Sequence, residues 1–338
     1  MRPSTLRLFA AALVAPAVLA ACGSSKSATP PTSTATTGGA ASASTASTGD
    51  CKPVAGDALV VLTDDKKSQN SDNVVPIVRT AVAKAPLTDA LNAVSKALTQ
   101  DALVEMNRDV SVDKKTSAEA ATSFVADNSL GDGLSGGSGK IVVGAAGFAE
   151  SLTLANVYAD VLTKAGYDAT AKTSGARAAY EPALEKGDID VFPEYAATIT
   201  TFLATKQKAT AKASGDITET IAALKPLAAA AGLTVLDPAE ATDENAFAVT
   251  KASADAYGLA TLSDVASKCG SGVVVGAPAE CPTQGYCKQA LEGVYGIKIT
   301  DLKALDEDGP ITRQALKGGQ VLIGEVFSSD ADVNGGGA

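Results

Sequence analysis

Residues 140–192, from Lys140-Ile-Val-Val-Gly144 to Ile189-Asp-Val-Phe192, alternate between short apolar runs and helical patterns. The first run predicts a buried strand that ends at a glycine, and the last predicts another strand. A strand is also expected near 167–173, and a helix near 178–186. This β-α-β-α-β order predicts a mostly parallel sheet with helices on both faces. The helix between the first two strands is indicated by one apolar stripe: Leu152, Leu154, Val157, Tyr158, Val161 and Leu162.

A second α/β set begins near Asn245, after a predicted helix at 217–231 and a strand at 233–236. Two α/β lobes joined at 236–245 leave a cleft between them. Small ligands usually bind in such clefts and at the carboxyl ends of parallel strands. The elements predicted for the second set are a strand at 246–249, a helix at 262–268, a strand at 273–276, a helix at 284–295, a strand at 301–305, a helix at 311–317 and a strand at 321–327.

Residues 57–130 follow a different pattern. Leu59-Val-Val-Leu62 and Asn73-Val-Val-Pro-Ile-Val78 predict two strands, and three helices follow, which we expect to be capped by Thr88, Thr99 and Ser117. The Gly/Ser-rich stretch 131–139 is a linker. It is not a phosphate loop, because the Gly-Lys pair at 139–140 is followed by Ile rather than by Ser or Thr.

Composition excludes several function classes. The chain has 338 residues, of which 46% are hydrophobic, and this is enough apolar material for one or two packed domains. It contains no His, which rules out His-based triads and proton shuttles. The formal net charge of −10 argues against binding to nucleic acid.

The first 21 residues resemble a bacterial lipoprotein signal peptide. Arg2 and Arg7 precede an apolar run that is too short to span a bilayer and ends in Leu19-Ala-Ala-Cys-Gly23. In signals of this kind the thiol, here that of Cys22, is acylated; the alternative is an ordinary signal peptide with an incidental Cys. Residues 22–55 are rich in Ser, Thr and Ala and predict a flexible tether.

Four further cysteines predict disulfides, because export leads to an oxidising compartment. Cys281 and Cys287 are close together in a Pro- and Gly-containing loop, so we pair them, which leaves Cys51 with Cys269. Four cysteines permit three connectivities, and a zinc site is the alternative to disulfides, although no tight C-x-x-C spacing is present.

Residues 140–327 resemble the substrate-binding proteins of osmoprotectant ABC importers of the glycine betaine/carnitine/choline type. The most specific match is Gly187-Asp-Ile-Asp-Val-Phe-Pro-Glu-Tyr-Ala-Ala-Thr198, and the start Lys140-Ile-Val-Val-Gly-Ala-Ala-Gly-Phe-Ala-Glu-Ser151 matches as well. Further matches follow in the same order at 275–280, 294–297 and 325–330. The resemblance implies a two-lobed, periplasmic-binding-protein-like α/β fold of type II with a ligand cleft between the lobes.

One part of the family's pattern stands in an unexpected place. The family's last strand, its "NVAPVVR"-like run and its C-terminal helices resemble Leu59–Asp65, Asn73–Arg79 and the helices up to Leu130, which here come first. We therefore expect a circular permutant in which 56–130 completes both lobes, 131–139 joins the old termini, 140–240 forms lobe 1 and 241–338 forms lobe 2. The alternative is an unrelated N-terminal domain followed by a truncated binding protein.

The resemblance also implies a ligand site with an aromatic cage and a basic clamp for a carboxylate. Tyr195 and Thr198 match the family's Pro-Glu-Tyr-x-x-Thr, Phe327 stands at a cage position, and Asp243 is near an acidic or amide position. The expected ligand-binding residues are Phe148, Glu150, Arg177, Tyr195, Thr198, Asp243, Asn245, Gln284 and Phe327.

Three positions depart from the family's pattern. Ala146 stands where the family often has Lys, Asn245 where it has Tyr, and Gln284 where it often has Arg. Arg177 and Tyr180 are candidates for replacement contacts. The departures predict an uncharged, hydrogen-bonding ligand or a choline-like cation without a carboxylate, rather than glycine betaine.

We therefore expect a lipid-anchored, extracytoplasmic solute-binding protein that captures a small osmolyte-like compound. It would act as a monomer, without cofactor or metal, and would present the compound to an ABC permease and its ATPase subunits. The main alternative is a surface sensor of the same fold that binds a neutral or aromatic ligand without transport. A hydrolase of a polar substrate is a third hypothesis. We favour the binding protein over it and therefore expect no enzymatic activity.

Overall fold

The computed structural model describes residues 49–306 and 309–334. The predicted signal peptide, the lipidation site Cys22 and most of the predicted tether lie outside these residues. Among the residues that are described, we find no helix with the length and hydropathy needed to cross a bilayer.

The described residues alternate between short strands and helices. The strands are β1 (Leu59–Leu62), β2 (Val74–Arg79), β3 (Lys140–Ala145), β4 (Asp168–Thr173), β5 (Val191–Tyr195), β6 (Leu233–Val235), β7 (Asn245–Thr250), β8 (Val273–Pro278), β9 (Ile299–Leu305) and β10 (Ile323–Phe327). The helices are α1 (Leu87–Ala97), α2 (Gln100–Ser111), α3 (Ser117–Asp127), α4 (Ala149–Lys164), α5 (Arg177–Lys186), α6 (Ala196–Gln207), α7 (Ile217–Ala230), α8 (Lys251–Tyr257), α9 (Leu262–Lys268), α10 (Pro310–Lys317) and α11 (Ala331–Asn334).

The strands form two sheets of five, one in each lobe. The first lobe has the order β4-β3-β5-β2-β6, and the second has the order β1-β7-β10-β8-β9. In the first lobe β3 is parallel to β4 and β5, whereas β2 is antiparallel to β5 and β6. In the second, β8 is parallel to β9 and β10, whereas β7 is antiparallel to β1 and β10. Both sheets are therefore mixed, and the prediction of a mostly parallel sheet is wrong in this respect.

The antiparallel pairs of the described sheets all involve β2, in the first lobe, or β7, in the second. Residues 59–79 give one strand to each lobe: β1 lies at the edge of the second sheet, and β2 lies inside the first, between β5 and β6. The helices that follow pack on the first lobe, where Leu91, Val94 and Phe124 share a buried core with Leu154 and Val161 of α4. Residues 57–130 thus form no separate body.

Two of the three predicted helix caps differ from the structure. Thr99 caps α2 by accepting a hydrogen bond from the N–H of Ala102, as predicted. Helix α3 is capped by Thr116 rather than by Ser117, because Thr116 and Glu119 form a reciprocal capping box. Helix α1 begins at Leu87 without a side-chain cap, so Thr88 lies inside it.

The helix predicted at 284–295 does not form as one element. A 3₁₀ turn spans Cys281–Thr283, and a π-helical segment spans Ala290–Val294. The bond between Cys281 and Cys287 closes a short loop just before this segment. A regular helix from 284 would need its first turn to lie inside that closed loop, which explains the later start.

Both disulfides follow the pairing that the sequence spacing favours. Cys51 is bonded to Cys269 and Cys281 to Cys287, and all four residues are buried in the second lobe. The first bond joins the beginning of the described chain to the residue that follows α9. It therefore holds the segment before β1 on the second lobe.

The long-range disulfide is expected to contribute more to stability than the local one. The two bonds join residues 218 and 6 positions apart. Loop-closure entropy grows with loop length, so a Cys51→Ala/Cys269→Ala variant should lose about 5 kcal/mol of unfolding free energy, against about 2 kcal/mol for Cys281→Ala/Cys287→Ala. Urea unfolding monitored by circular dichroism measures both losses, and an equal or larger loss in the second variant contradicts this expectation.

Candidate functional site

A cavity of about 790 Å³ opens between the two lobes. The first lobe supplies Phe148, Tyr195 and Thr198 to its wall, and the second supplies Asn245 and Phe327. The cavity therefore lies where the sequence predicted a cleft, and a ligand inside it contacts both lobes.

Strand ends position these side chains. Tyr195 is the last residue of β5, and Phe148 immediately precedes α4. Asn245 begins β7 and is the register partner of Phe327 at the end of β10. The two sheets thus present the ends of their central strands to the same space, which is the usual location of ligand sites in α/β proteins.

Aromatic side chains form one part of the wall. The rings of Phe148 and Tyr195 are stacked with their centroids 6.2 Å apart. Tyr195 is buried, whereas Phe148 is 47% exposed and stands at the open side of the cavity. Phe327 and Tyr286 add two more rings from the second lobe.

Carboxylates form another part of the wall. Asp72 accepts hydrogen bonds from the backbone N–H of Thr198, at 2.9 Å, and from its hydroxyl. Burial raises the pKa of Asp72 to about 6 and that of Glu244 to about 7. Burial also raises the pKa of Asp243, although a hydrogen bond from Ser329 at 2.7 Å opposes the shift.

Glu150 lies behind Tyr195 rather than in this cavity. Its Oε1 accepts a hydrogen bond from the hydroxyl of Tyr195 at 2.5 Å, and its Oε2 accepts one from the amide of Asn107 at 2.5 Å. It borders an adjacent cavity of about 520 Å³, which shares Phe148 and Phe327 with the first. Burial, followed by the charge of Asp243, raises the pKa of Glu150 to about 7.

The two basic residues among the described cavity-lining side chains are already paired. Arg177 donates two hydrogen bonds to Glu194, from Nε at 3.1 Å and from Nη2 at 3.0 Å. Burial disfavours its charge, but Glu194 more than offsets this and raises the pKa of Arg177. Lys206 contacts Glu181 at 2.6 Å and Glu185 at 2.9 Å. The cleft is therefore acidic where a ligand would lie.

The structure brings together seven of the nine residues that the sequence singled out: Phe148, Arg177, Tyr195, Thr198, Asp243, Asn245 and Phe327. Glu150 is one layer behind them, and Gln284 is in the disulfide loop without lining the cavity. Tyr286, from the same loop, takes that place. Tyr180, the other candidate contact, is buried and donates its hydroxyl to Glu194 at 2.8 Å.

Sequence reasoning missed Tyr286, Asp72 and Glu244. Tyr286 had a usable signal, since it is the only aromatic residue between Cys281 and Cys287. Asp72 reaches the cavity because β2 pairs with β5 so that Val74 opposes Tyr195. That register becomes visible only when the sheet has formed. Glu244 stands in the predicted joint between the lobes, next to two residues that were singled out.

The carboxylates do not form a metal centre. Within 49–306 and 309–334, no three His, Cys, Asp or Glu side chains are grouped in a way that could hold a metal ion.

Comparison with known proteins identifies the family. A family model described as the substrate binding domain of ABC-type glycine betaine transport system matches residues 22–127 and 139–334, which is most of the chain. Among solved structures, one described as a glycine betaine/carnitine/choline ABC transporter matches with 18% identity and a TM-score of 0.44, over 57% of this chain and 70% of that one. A search of curated proteins gives no match.

The family-model match determines the general role and the fold. Proteins of this family are binding proteins rather than enzymes, they act outside the cytoplasm, and they have a type II periplasmic-binding-protein fold. The chain therefore belongs to the family of substrate-binding domains of ABC-type glycine betaine transport systems, and it is the substrate-binding component of an ABC importer for osmolytes.

Proposed function

We propose that this protein is a lipid-anchored binding protein that captures a small quaternary ammonium compound without a carboxylate and delivers it to the permease of its importer. The observation that carries the proposal is the composition of the cleft wall. It combines five aromatic side chains with three carboxylates, and its Arg177 and Lys206 are neutralised by neighbouring acids.

Aromatic faces suit such a cation because a quaternary ammonium has no proton to donate. It is held instead by the negative face of an aromatic ring, and each such contact contributes about 0.5–2 kcal/mol. Phe148, Tyr195 and Phe202 reach the cavity from the first lobe, and Tyr286 and Phe327 reach it from the second. A cation between them contacts both lobes at once and favours the closed arrangement by its higher affinity for it.

The charges of the wall argue against a ligand that carries its own carboxylate. Such a group needs an unpaired cation or several N–H donors, and the guanidinium of Arg177 already forms a two-bond pair with Glu194. The carboxylates of Asp72, Asp243 and Glu244, which line the same cavity, would repel the carboxylate of such a ligand. Choline satisfies these constraints, and glycine betaine does not.

We expect choline to bind at least about tenfold more tightly than glycine betaine, since each lost charge-assisted contact costs about 1.5–3 kcal/mol. Isothermal titration calorimetry of the purified protein with both compounds measures the difference. The neutral isostere 3,3-dimethylbutan-1-ol serves as a third ligand. Equal or tighter binding of glycine betaine overturns the proposal, and tighter binding of the neutral alcohol favours a sensor of uncharged ligands.

A matched pair of variants at Phe327 tests the aromatic contact. Phe327→Leu keeps an apolar side chain but removes the ring, so it should lower the affinity for choline by about 3- to 30-fold. Phe327→Tyr keeps the ring and should leave the affinity close to that of the native protein. Similar losses in both variants would show that shape, and not the ring face, decides binding there.

The anchor is supported by sequence alone. Leu19-Ala-Ala-Cys-Gly23 places small residues before a Cys at the end of an apolar run, and a polar stretch of about thirty residues follows before the folded body. A tether of this kind keeps the binding protein close to the permease and leaves it free to turn.

A Cys22→Ser variant should be released from the membrane, because the thiol that carries the lipid is absent. Fractionation of cells that produce the full-length chain, followed by immunoblotting of membrane and soluble fractions, measures the change. A variant in which Ser24 is replaced by Ala is the matched control and should stay with the membrane. Membrane retention of Cys22→Ser contradicts lipid anchoring.

We also propose that the chain is a circular permutant of the family's order. Residues 59–79 supply one strand to each sheet, and Leu59 of β1 packs with Val333 of α11 in one buried cluster. At the other junction, the linker runs along the end of α4, where the N–H of Gly137 bonds to the carbonyl of Ala165 at 2.9 Å. Both junctions thus join chain segments that already lie close together.

A chain in which residues 140–334 precede residues 51–130, joined by a short Gly/Ser linker, tests the permutation. It keeps every strand pairing and both disulfides, so it should unfold cooperatively and bind choline with unchanged affinity. Thermal unfolding and calorimetry measure these properties. A product that fails to fold, while the native order folds under the same conditions, contradicts the proposal.

A further inference from the structure

Glu150 is a buried carboxylate that does not line the cavity, so it has no direct part in the ligand contacts proposed above. It is 8% exposed, and the side chains that donate hydrogen bonds to it in the described structure, those of Tyr195 and Asn107, are both neutral. A buried carboxylate is normally paired with a cation, because removing its charge from water is costly. Its place behind a cavity-lining tyrosine therefore calls for an explanation.

The side chains that face Glu150 from the neighbouring elements include no cation among the described residues, and the positive end of the α4 dipole, in whose first turn Glu150 stands, compensates its charge only in part. Helix α2 presents the amide of Asn107, β5 presents the hydroxyl of Tyr195, and the segments before β7 and after β10 present Asp243 and Ser329. Three arginine side chains of the described structure have partners other than Glu150. Arg108 donates to the carbonyl of Ala331, Arg313 pairs with Asp330 and Asp332, and Arg177 pairs with Glu194.

The bond from Tyr195 to Glu150 has two consequences for the ring. It fixes the orientation of the phenol, whose face stacks with Phe148 at the cavity. A phenol that donates its proton to a carboxylate also has a more electron-rich ring, which attracts a cation more strongly. Both effects act on a cationic ligand, and the second leaves a neutral ligand of the same shape nearly unaffected.

We propose that Glu150 is a positioning residue that gives the cleft its preference for cations, acting through the hydroxyl of Tyr195 without touching the ligand. This inference rests on the proposed function, because it assumes that the occupant of the cleft is a cation.

The same carboxylate is connected to the second lobe. The amide of Asn107 that donates to Glu150 also donates to the carbonyl of Ser329 at 3.0 Å. The hydroxyl of Ser329 in turn donates to Asp243 at 2.7 Å. Glu150 is therefore linked through Asn107 and Ser329 to the segment of the second lobe that holds Asp243.

Ligand binding should depend on pH as a result. Burial and the charge of Asp243 raise the pKa of Glu150 to about 7. A cation favours the ionised form, so affinity is full above this pKa and falls as the pH decreases through it, by at most about tenfold per pH unit for one proton. Asp72, Asp243 and Glu244 have raised pKa values as well, so a pH profile is informative only when it is compared between variants.

A double-mutant cycle tests the inference. Choline and 3,3-dimethylbutan-1-ol are titrated calorimetrically into the native protein, Glu150→Gln, Tyr195→Phe and the double variant, at about pH 8 and about pH 5.5. At the higher pH each single variant should weaken choline by about tenfold and the alcohol by less than about twofold. The double variant should bind choline no more weakly than the single variant that has the lower affinity. The choline affinity of Glu150→Gln should change less with pH than that of the native protein.

Glu244→Gln is the matched control, because it removes a cavity-lining carboxylate that is not bonded to Tyr195 in the described structure. Its effect should add to that of Tyr195→Phe. Additive effects of Glu150→Gln and Tyr195→Phe, or equal losses for choline and the alcohol, overturn the role of Glu150. Tyr195→Phe leaves Glu150 in place, so its selectivity is measurable even when Glu150→Gln fails to fold. Absence of choline binding by the native protein overturns the proposed function itself, and this inference with it.

Discussion

The insertion of β2 between β5 and β6 is the constraint on which the first lobe and its site depend. Five residues of β2 pair with β5, and the register places Val74 opposite Tyr195. This register brings Asp72 to the hydrogen-bond donors of Thr198 and sets both at the edge of the cleft. Without β2, the central strands of the first sheet would present an unpaired edge, and the wall that carries Tyr195 would lose its neighbour. A segment that stands far upstream in the chain thus completes the site.

The charges around the cleft follow a consistent division. Where a basic side chain approaches, an acid neutralises it, as Glu194 does for Arg177 and Glu181 for Lys206. Acids at or near the ligand space accept hydrogen bonds from hydroxyl and amide donors instead, as at Asp72 in the cavity and at Glu150 behind Tyr195. The excess negative charge of the wall is therefore not compensated by the described side chains around it. The proposed cationic ligand would balance this charge, which would link the electrostatics of the fold to its selectivity.

Membership of the family establishes the role of a substrate-binding component, and the choice of ligand within that role is our proposal. Ala146 and Gln284, two of the positions that depart from the family's pattern, do not line the cavity, so the proposal rests on the groups that do. Asn245 lines it, and its side-chain oxygen is buried without a hydrogen-bond partner in the described structure. A ligand hydroxyl is a suitable donor for that oxygen, so the polar end of a choline-like molecule has a place to bind.

The sequence alone determined the elements with strong local periodicity and the motif residues at strand ends. Tyr195, Phe148 and Phe327 were identifiable because each stands in a stretch that resembles the family's pattern. Tertiary structure alone decided what depends on pairing between distant segments. The mixed direction of the sheets, the arrival of Asp72 and the position of Glu150 behind Tyr195 arise from contacts across about fifty to more than one hundred positions. The broken helix at 284–295 has the same origin, since a covalent bond overrides local helical preference there. Local sequence specifies backbone preference and burial, whereas register and side-chain partners are properties of the assembled lobes.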